Sequence, residues 1–181
     1  YPDALLVVAG GHISRSVMLE KMPAASNDDI VAPQYEDALS ICKCLSEIPE
    51  DSFIETPFEE DLYSLFKLYD VFVHVPIDSI QETFGQVYVE AMLSRVPSVI
   101  TLSGSALDHA IHAENAWVVD YMNSDQIAAG ILALLADDNL RSQITENAFA
   151  CAHSRYSIET QTRKLEDFYV KALQSSKIIS T

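Results

Sequence analysis

Residues 70–102 read DVFVHVPIDSIQETFGQVYVEAMLSRVPSVITL, and this stretch decides the fold of the chain. It holds an apolar, β-branched run at 71–75, a polar loop, a helical segment from Gly85 to Ser94 and a second apolar run at 97–102. Continuous apolar runs on either side of a helix are typical of a parallel sheet covered on both faces. The stretch therefore predicts a strand, a loop, a helix and a second strand.

The same alternation continues outward from this stretch. Further strands are predicted at 4–9, 53–55 and 116–119, and further helices at 34–47 and 60–69. Beyond residue 119 only helices are predicted, with candidate caps at Asn123 (in a capping box with Gln126), Asp138 and Ser157. We expect an α/β fold, a Rossmann-like doubly wound parallel sheet with a helical C-terminal tail, in a single domain over residues 1–181.

Composition and charge narrow the range of partners. The chain of 181 residues is 49% apolar and carries a formal net charge of -16. So acidic a surface disfavours binding to nucleic acid and to anionic lipid. Because no apolar run approaches the length of a membrane span and no basic leader precedes an apolar segment, we expect a cytoplasmic protein without direct membrane insertion.

The cysteines and most of the histidines favour structural roles. Three cysteines are an odd number, and the spacing of Cys42 and Cys44 does not suit a zinc knuckle, so we expect free thiols and no metal. His74 lies within the strand predicted at 71–75, and we expect its side chain, like that of Trp117, to pack in the hydrophobic core. His109 and His112 are three residues apart, but without an evident third ligand we expect them on the surface.

The loop at 75–85 is the strongest candidate for a ligand site. Ligands of open α/β sheets bind beyond the carboxyl ends of the strands, and this loop leaves a strong strand there. Gly85 permits close approach of the backbone, and the helix that follows offers unpaired N–H groups and a positive dipole end. The pattern predicts an anion site that needs no basic side chain.

Two glutamates flank this predicted anion site. Glu82 precedes the helix, whereas Glu90 lies five residues beyond Gly85, which is roughly 7–8 Å along a helical axis. Carboxylates accept hydrogen bonds from paired sugar hydroxyls. The spacing therefore suits a nucleotide sugar, with one acid at each end of its diphosphate, although an exposed glutamate on a helix is often only solvated.

These residues closely resemble the signature of glycosyltransferase family 4, which typically reads ADVFV, EPFG, EAMA-G and VPVV. The matching segments are 70–73, 82–92 and 96–99, and the resemblance continues through Ala113 to Ala116 and into the helical tail. It covers about Pro2 to Ala172 and is most specific from Asp70 to Val119. It implies the C-terminal, donor-binding domain of a retaining GT-B glycosyltransferase.

The resemblance also implies roles for particular residues. Glu82 is expected to contact the donor sugar as the catalytic residue, and Glu90 to accept hydrogen bonds from the ribose. Backbone N–H groups near Phe84 to Gln86 are expected to hold the distal phosphate. The complete set of expected donor-binding residues is Glu82, Thr83, Phe84, Gly85, Gln86, Glu90, Gly10, Gly11, His12 and Gly104. The donor is expected to be UDP- or GDP-linked, with no metal and no other cofactor.

Several departures from the family pattern leave other functions open. Thr83 replaces the usual proline, Pro57 and Ser105 replace glycines, and the family's diphosphate-binding arginine and lysine precede the segment where this chain starts. We therefore expect a partial donor site that lacks its first βα unit and acceptor domain, and an isolated chain that is inactive. A non-catalytic nucleotide-sugar-binding or regulatory module is the main alternative, and a GT-B epimerase or phosphorylase is another. The segment from Ser103 to Ser105 either supplies additional N–H donors to the same ligand or is a plain turn between a strand and a helix, and the sequence does not decide between the two.

Overall fold

The computed structural model describes residues 3–9, 47–56, 59–80 and 82–179. The chain divides into two compact units, Tyr1–Asp61 and Leu62–Thr181. Several predictions fall outside the described residues: most of the helix at 34–47, the cysteine pair Cys42 and Cys44, Pro57, and the expected donor-binding residues Gly10, Gly11 and His12.

The described part of the first unit is a pair of parallel strands. Strand β1 (Leu6–Ala9) pairs in register with β2 (Phe53–Thr56), and a 3₁₀ turn at Glu50–Ser52 precedes β2. The sequence predicts β1 as a buried strand, but Leu6 and Val8 are exposed. The prediction of burial is wrong because β1, within the described residues, pairs with a single strand and both of its faces keep accessible side chains.

The second unit is built around a three-stranded parallel sheet. Its strands are β3 (Phe72–His74), β4 (Ser98–Thr101) and β5 (Trp117–Val119), in that spatial order. Helix α1 (Leu62–Phe66) precedes β3, and the helices between the strands are α2 (Gln86–Leu93) and the single turn α3 (Ala106–His109). The tail consists of α4 (Ser124–Ala136), α5 (Asp138–Tyr156) and α6 (Ile158–Ile179). The strands are shorter than predicted: β3 and β4 each lack one residue at both ends, and β5 lacks one residue at its start.

Both faces of the central strand β4 are buried, as the run of apolar residues predicts. Neighbouring residues of a strand point to opposite faces. Val99 packs with Leu134 of α4 and Ile144 of α5, whereas Ile100 packs with Tyr88 of α2 on the other face. Helices therefore cover the sheet on both sides, which confirms the predicted α/β fold with parallel strands and a helical C-terminal segment.

Helix α2 is fixed on several sides. Val89 and Met92 pack against Ala148 and Ala152 of α5, while Ala91 packs against α1. The helix ends in a Schellman motif, in which Arg95 takes the left-handed conformation usually given to glycine, with a φ of 60°. Because α2 is held by α1, by α5 and by its own C-terminal motif, its first turn has a fixed position relative to these elements.

The helical tail confirms the predicted elements, corrects one predicted cap and leaves the predicted capping box at Asn123 incomplete. The side chain of Asn123 accepts from the N–H of Gln126, yet Gln126 reaches Asp120 instead of completing the capping box. Asp137, rather than the predicted Asp138, caps α5 by accepting from Asn139 and Leu140. The start of α5 is shifted by one residue because Asp137 has the extended backbone that a cap requires.

No helix within the described residues is long and apolar enough to cross a membrane.

Candidate functional site

The structure brings together the predicted residues that follow β3. Glu82, Thr83 and Phe84 form the end of the loop that leaves the carboxyl end of β3. Gly85 is the N-cap of α2, and Gln86 is its first residue. The site is therefore a strand end, a loop and a helix start in sequence, as the pattern predicts.

Gly85 has the conformation that makes this turn possible. Its φ is 72° and its ψ is 56°, in the left-handed region. A Cβ atom at this position would lie 2.4 Å from the ring of Tyr88 and 3.2 Å from Cγ of Glu82. Glycine is required here both by the backbone angles and by the lack of space beside that ring.

The first turn of α2 keeps the N–H groups that an anion needs. Gly85, the N-cap residue, has no side chain that could cap the helix, and the first turn holds no acidic residue. The N–H of Tyr88 is used, since it donates to the carbonyl of Gly85 at 3.0 Å. The uncapped N-terminus and the aligned peptide dipoles make this turn a favourable place for a phosphate.

Glu90 lies one turn further along α2, on the same side as Gln86. The side-chain amide of Gln86 donates to Oε1 of Glu90 at 3.0 Å. Because both side chains are polar and partly or fully exposed, the carboxylate of Glu90 can exchange this bond for one to a ligand hydroxyl. The carboxylate of Glu90 therefore lies about 6 Å along the helix axis from Gln86, the first residue of α2.

Glu82 forms a pair with His74 that the sequence analysis did not anticipate. Nε2 of His74 lies 3.2 Å from Oε2 of Glu82, and the two side chains are 33% and 23% exposed. The expectation of a core histidine is wrong, because His74 is the last residue of β3 and its ring faces the loop. The signal that could have found it is a histidine eight residues before the glutamate at a strand end.

An open cleft lies beside this pair. It has a volume of about 420 Å³ and is lined by residues of β3 and the following loop: Val73, His74, Val75, Pro76 and Glu82. Within the described part of the chain, no group of three or more histidine, cysteine, aspartate or glutamate side chains is arranged to hold a metal ion.

Gly104 supports the loop from the neighbouring strand end. Its φ is 54°, and an added Cβ would lie 2.9 Å from the backbone of Phe84 and 3.0 Å from Cγ of Glu82. The N–H of Ser105 donates to the carbonyl of Phe84 at 2.7 Å, and that of Ser103 donates to Thr101. Ser103 and Ser105 therefore use their N–H groups within the chain, and the bond from Ser105 holds the loop at Phe84.

Tyr88 is a buried residue of α2 that supports the candidate site. Its ring is buried, and its hydroxyl lies 2.9 Å from Oγ of Ser103. Burial raises the pKa of Tyr88 above its usual value, and the charge of Glu82 contributes in the same direction. The phenol therefore stays protonated at neutral pH and links α2 to the end of β4.

A second supporting group involves His109, and here the expected surface position is wrong. His109 is 4% exposed, and its Nδ1 lies 3.2 Å from the hydroxyl of Tyr156, whose ring contacts Phe84 edge-on. Burial lowers the pKa of His109, and the positive charge of Arg155 adds to this. His109 is buried because it ends the single turn α3, which packs inward, whereas His112 is exposed as predicted.

Comparison with protein families gives one model over most of the chain. The family described as glycosyl transferases group 1 matches residues 1–150. A D-inositol 3-phosphate glycosyltransferase of Corynebacterium kroppenstedtii is 33% identical over 141 residues, which is 78% of this chain and 30% of the relative. An uncharacterized glycosyltransferase of Methanocaldococcus jannaschii, MJ1607, is 31% identical over 64% of this chain and 29% of its own length.

Solved structures show the same fold. Anabaena Alr3699/HepE, in complex with UDP and glucose, superposes with a TM-score of 0.70 over 94% of this chain and 41% of that chain, at 20% identity. The α/β fold is thus shared with glycosyltransferases of the GT-B type. The chain spans about a third of the length of the curated relatives, 29% and 30% for the two described above.

Proposed function

The chain belongs to the glycosyl transferases group 1 family, and we propose from this that it is the donor-binding part of a glycosyltransferase. In this proposal a nucleotide sugar lies across the loop after β3 and the first turn of α2. Glu82 accepts from hydroxyls of the sugar, and Glu90 accepts from the ribose. The N–H groups of Phe84 to Gln86 hold the distal phosphate between them.

One observation carries the proposal: an uncapped helix start lies between two accessible carboxylates. Gly85, in its left-handed conformation, opens α2 without a side-chain cap. Glu82 and Glu90 lie on either side of it, and both retain accessible surface. A nucleotide sugar presents hydroxyls, a diphosphate and further hydroxyls in that order, so its polar groups match the three parts of the site.

The reaction we propose is transfer with retention of configuration. The bond between the anomeric carbon and the diphosphate oxygen breaks, and the diphosphate keeps the electron pair. The acceptor hydroxyl forms the new bond on the face from which the diphosphate departs, and its proton passes to an oxygen of that diphosphate. Stabilisation of the leaving diphosphate by the start of α2 is the contribution of this chain, and it acts in the transition state, where charge develops on that group.

The finer assignments are also proposals. We assign the chain to family 4 on its Glu82 to Glu90 motif, and we take a UDP-linked hexose as the first donor to test because Alr3699/HepE holds UDP and glucose. GDP-linked donors come next. We expect binding without a metal ion, participation of Gly10, Gly11, His12 and Gly104 in donor binding, and no transfer by the 181-residue chain alone.

Calorimetry with UDP and UDP-glucose tests these roles. Glu90→Gln should lower the affinity for UDP and for UDP-glucose roughly tenfold, because a charge-assisted hydrogen bond to the ribose that both ligands share is lost. Glu82→Gln should lower the affinity for UDP-glucose by a similar factor and leave the affinity for UDP unchanged, because only the sugar contacts Glu82.

The matched control is Glu159→Gln, an exposed glutamate in the first turn of α6. It removes the same charge elsewhere and should change neither affinity. If the wild-type chain binds none of the UDP, GDP or ADP sugars, the donor-binding role is wrong. If it turns over donor efficiently, the expectation that transfer needs more of the protein is wrong.

A further inference from the structure

We infer that His74 is a positioning residue that fixes the carboxylate of Glu82 for recognition of the donor sugar. This inference rests on the proposed function, since it concerns how the same site distinguishes a sugar nucleotide from the nucleotide alone. The starting observation is the distance of 3.2 Å between Nε2 of His74 and Oε2 of Glu82.

The ring of His74 is itself held in place. On one side it stacks on Phe72, with centroids 6.1 Å apart and an interplanar angle of 9°. On the other it meets the edge of Tyr88, with centroids 4.9 Å apart. Tyr88 is in turn anchored through its hydroxyl to Ser103. A ring fixed by two aromatic neighbours can direct its N–H at a chosen point with little loss of conformational entropy on binding.

The carboxylate of Glu82 needs such a partner because only its stem is fixed by packing. Its Cγ lies against the turns at Gly85 and Gly104, close enough that a Cβ on either glycine would stand 3.2 Å and 3.0 Å away. These contacts locate the stem but leave the last torsion of the side chain free, which is broad in glutamate. The bond from His74 selects one orientation of the carboxylate.

The orientation selected leaves one oxygen for a ligand. Oε2 accepts from His74, and no described residue donates a hydrogen bond to Oε1 of Glu82. Both side chains line the open cleft at the end of β3. Oε1 is therefore presented to the cleft as a fixed acceptor, and a sugar hydroxyl that reaches it does not have to organise the carboxylate first.

Three substitutions at His74 separate this role from a packing role. The amide nitrogen of glutamine reaches about as far from the backbone as Nε2 does, whereas that of asparagine reaches only as far as Nδ1. Leucine fills similar space without a donor. His74→Gln should therefore keep most of the affinity for UDP-glucose, whereas His74→Asn and His74→Leu should lose roughly tenfold, the effect of one charge-assisted bond.

Calorimetry of the 181-residue chain with UDP and UDP-glucose is the measurement. UDP affinity should be unchanged in all three variants, because the nucleotide does not meet Glu82. His153→Leu, at an exposed histidine of α5, is the control and should bind both ligands as the wild type does. Thermal unfolding of each variant shows that the fold is retained.

The possible outcomes distinguish this inference from the proposed function. Equal UDP-glucose affinity in all variants overturns the role of His74 while leaving donor binding intact. A parallel loss of UDP affinity assigns His74 to general packing and also overturns it. A wild-type chain that binds neither ligand overturns the proposed function, and the sugar-recognition role of His74 with it.

A measurement without a nucleotide sugar tests the hydrogen bond between His74 and Glu82 directly. Two-bond ¹H–¹⁵N spectra of the free protein report which ring nitrogen of His74 carries the proton. We expect the proton on Nε2 at mildly alkaline pH in the wild type, and a shift of population toward the Nδ1 tautomer in Glu82→Gln, because the charged acceptor is gone. A wild-type ring protonated mainly on Nδ1 would contradict the proposed hydrogen bond.

Discussion

At the scale of single residues, the candidate site depends on two glycines whose need is visible only in part from the sequence. The family signature singles out Gly85 before α2, but the reason for it is a φ of 72° and a ring of Tyr88 packed 2.4 Å from where a Cβ would stand. Gly104, from the next strand end, presses on the same loop. The position of Glu82 therefore depends on two glycines that have no side chain of their own.

Replacement of Gly85 by alanine should be costly for this reason. The left-handed conformation alone costs an alanine roughly 1–2 kcal/mol, and displacement of the buried Tyr88 ring adds to the loss. We expect Gly85→Ala to lower the free energy of unfolding, measured with urea, by about that amount or more and to abolish binding of UDP-glucose. Ser94→Ala, at the other end of α2 with a φ of -83°, should change stability little; similar losses in both variants would contradict the steric explanation.

At the scale of elements, the helix starts show how sequence signals can be off by one residue. Asp137 and Asp138 are adjacent acids before α5, and either suits a cap by residue type. The structure gives the role to Asp137, which accepts from Asn139 at 2.9 Å and Leu140 at 3.0 Å, while Asp138 pairs with Arg141 at the surface. The backbone angles decide between them, and those angles follow from how α4 ends.

The two aspartates therefore provide a matched pair of variants. Asp137→Ala should destabilise the chain by about 1 kcal/mol, because two N–H groups of α5 lose their acceptor. Asp138→Ala removes the same charge but only an exposed ion pair, which contributes about 0–1 kcal/mol. Chemical denaturation of both variants compares them directly, and an equal or larger loss for Asp138→Ala would show that the cap is assigned to the wrong residue.

At the scale of the whole molecule, charge is the dominant feature. The chain carries 27 acidic and 11 basic side chains, and the formal net charge is -16. Self-repulsion of this size destabilises the compact state, and salt screens it. An anionic ligand would therefore be recognised best at a helix start, where backbone N–H groups act at close range against the unfavourable field of the net charge.

Salt should therefore stabilise this protein. If added NaCl relieves about 1 kcal/mol of repulsion, the midpoint of thermal unfolding rises by roughly 2–4 °C for a chain of this size. KCl at the same ionic strength should have the same effect, because screening depends on ionic strength and not on the cation. A midpoint that falls or stays constant in both salts would contradict the role assigned to net charge.

The sequence by itself determined the class of fold and the segment that holds the candidate site. Apolar runs and the pattern of glycine and glutamate from Glu82 to Glu90 are local signals, and the order of strands, helices and tail follows from them. The tertiary structure alone decided which distant side chains meet. It paired His74 with Glu82, buried His109 beside Tyr156, and set Gly104 against the loop, because these contacts depend on how neighbouring strand ends pack and not on spacing along the chain.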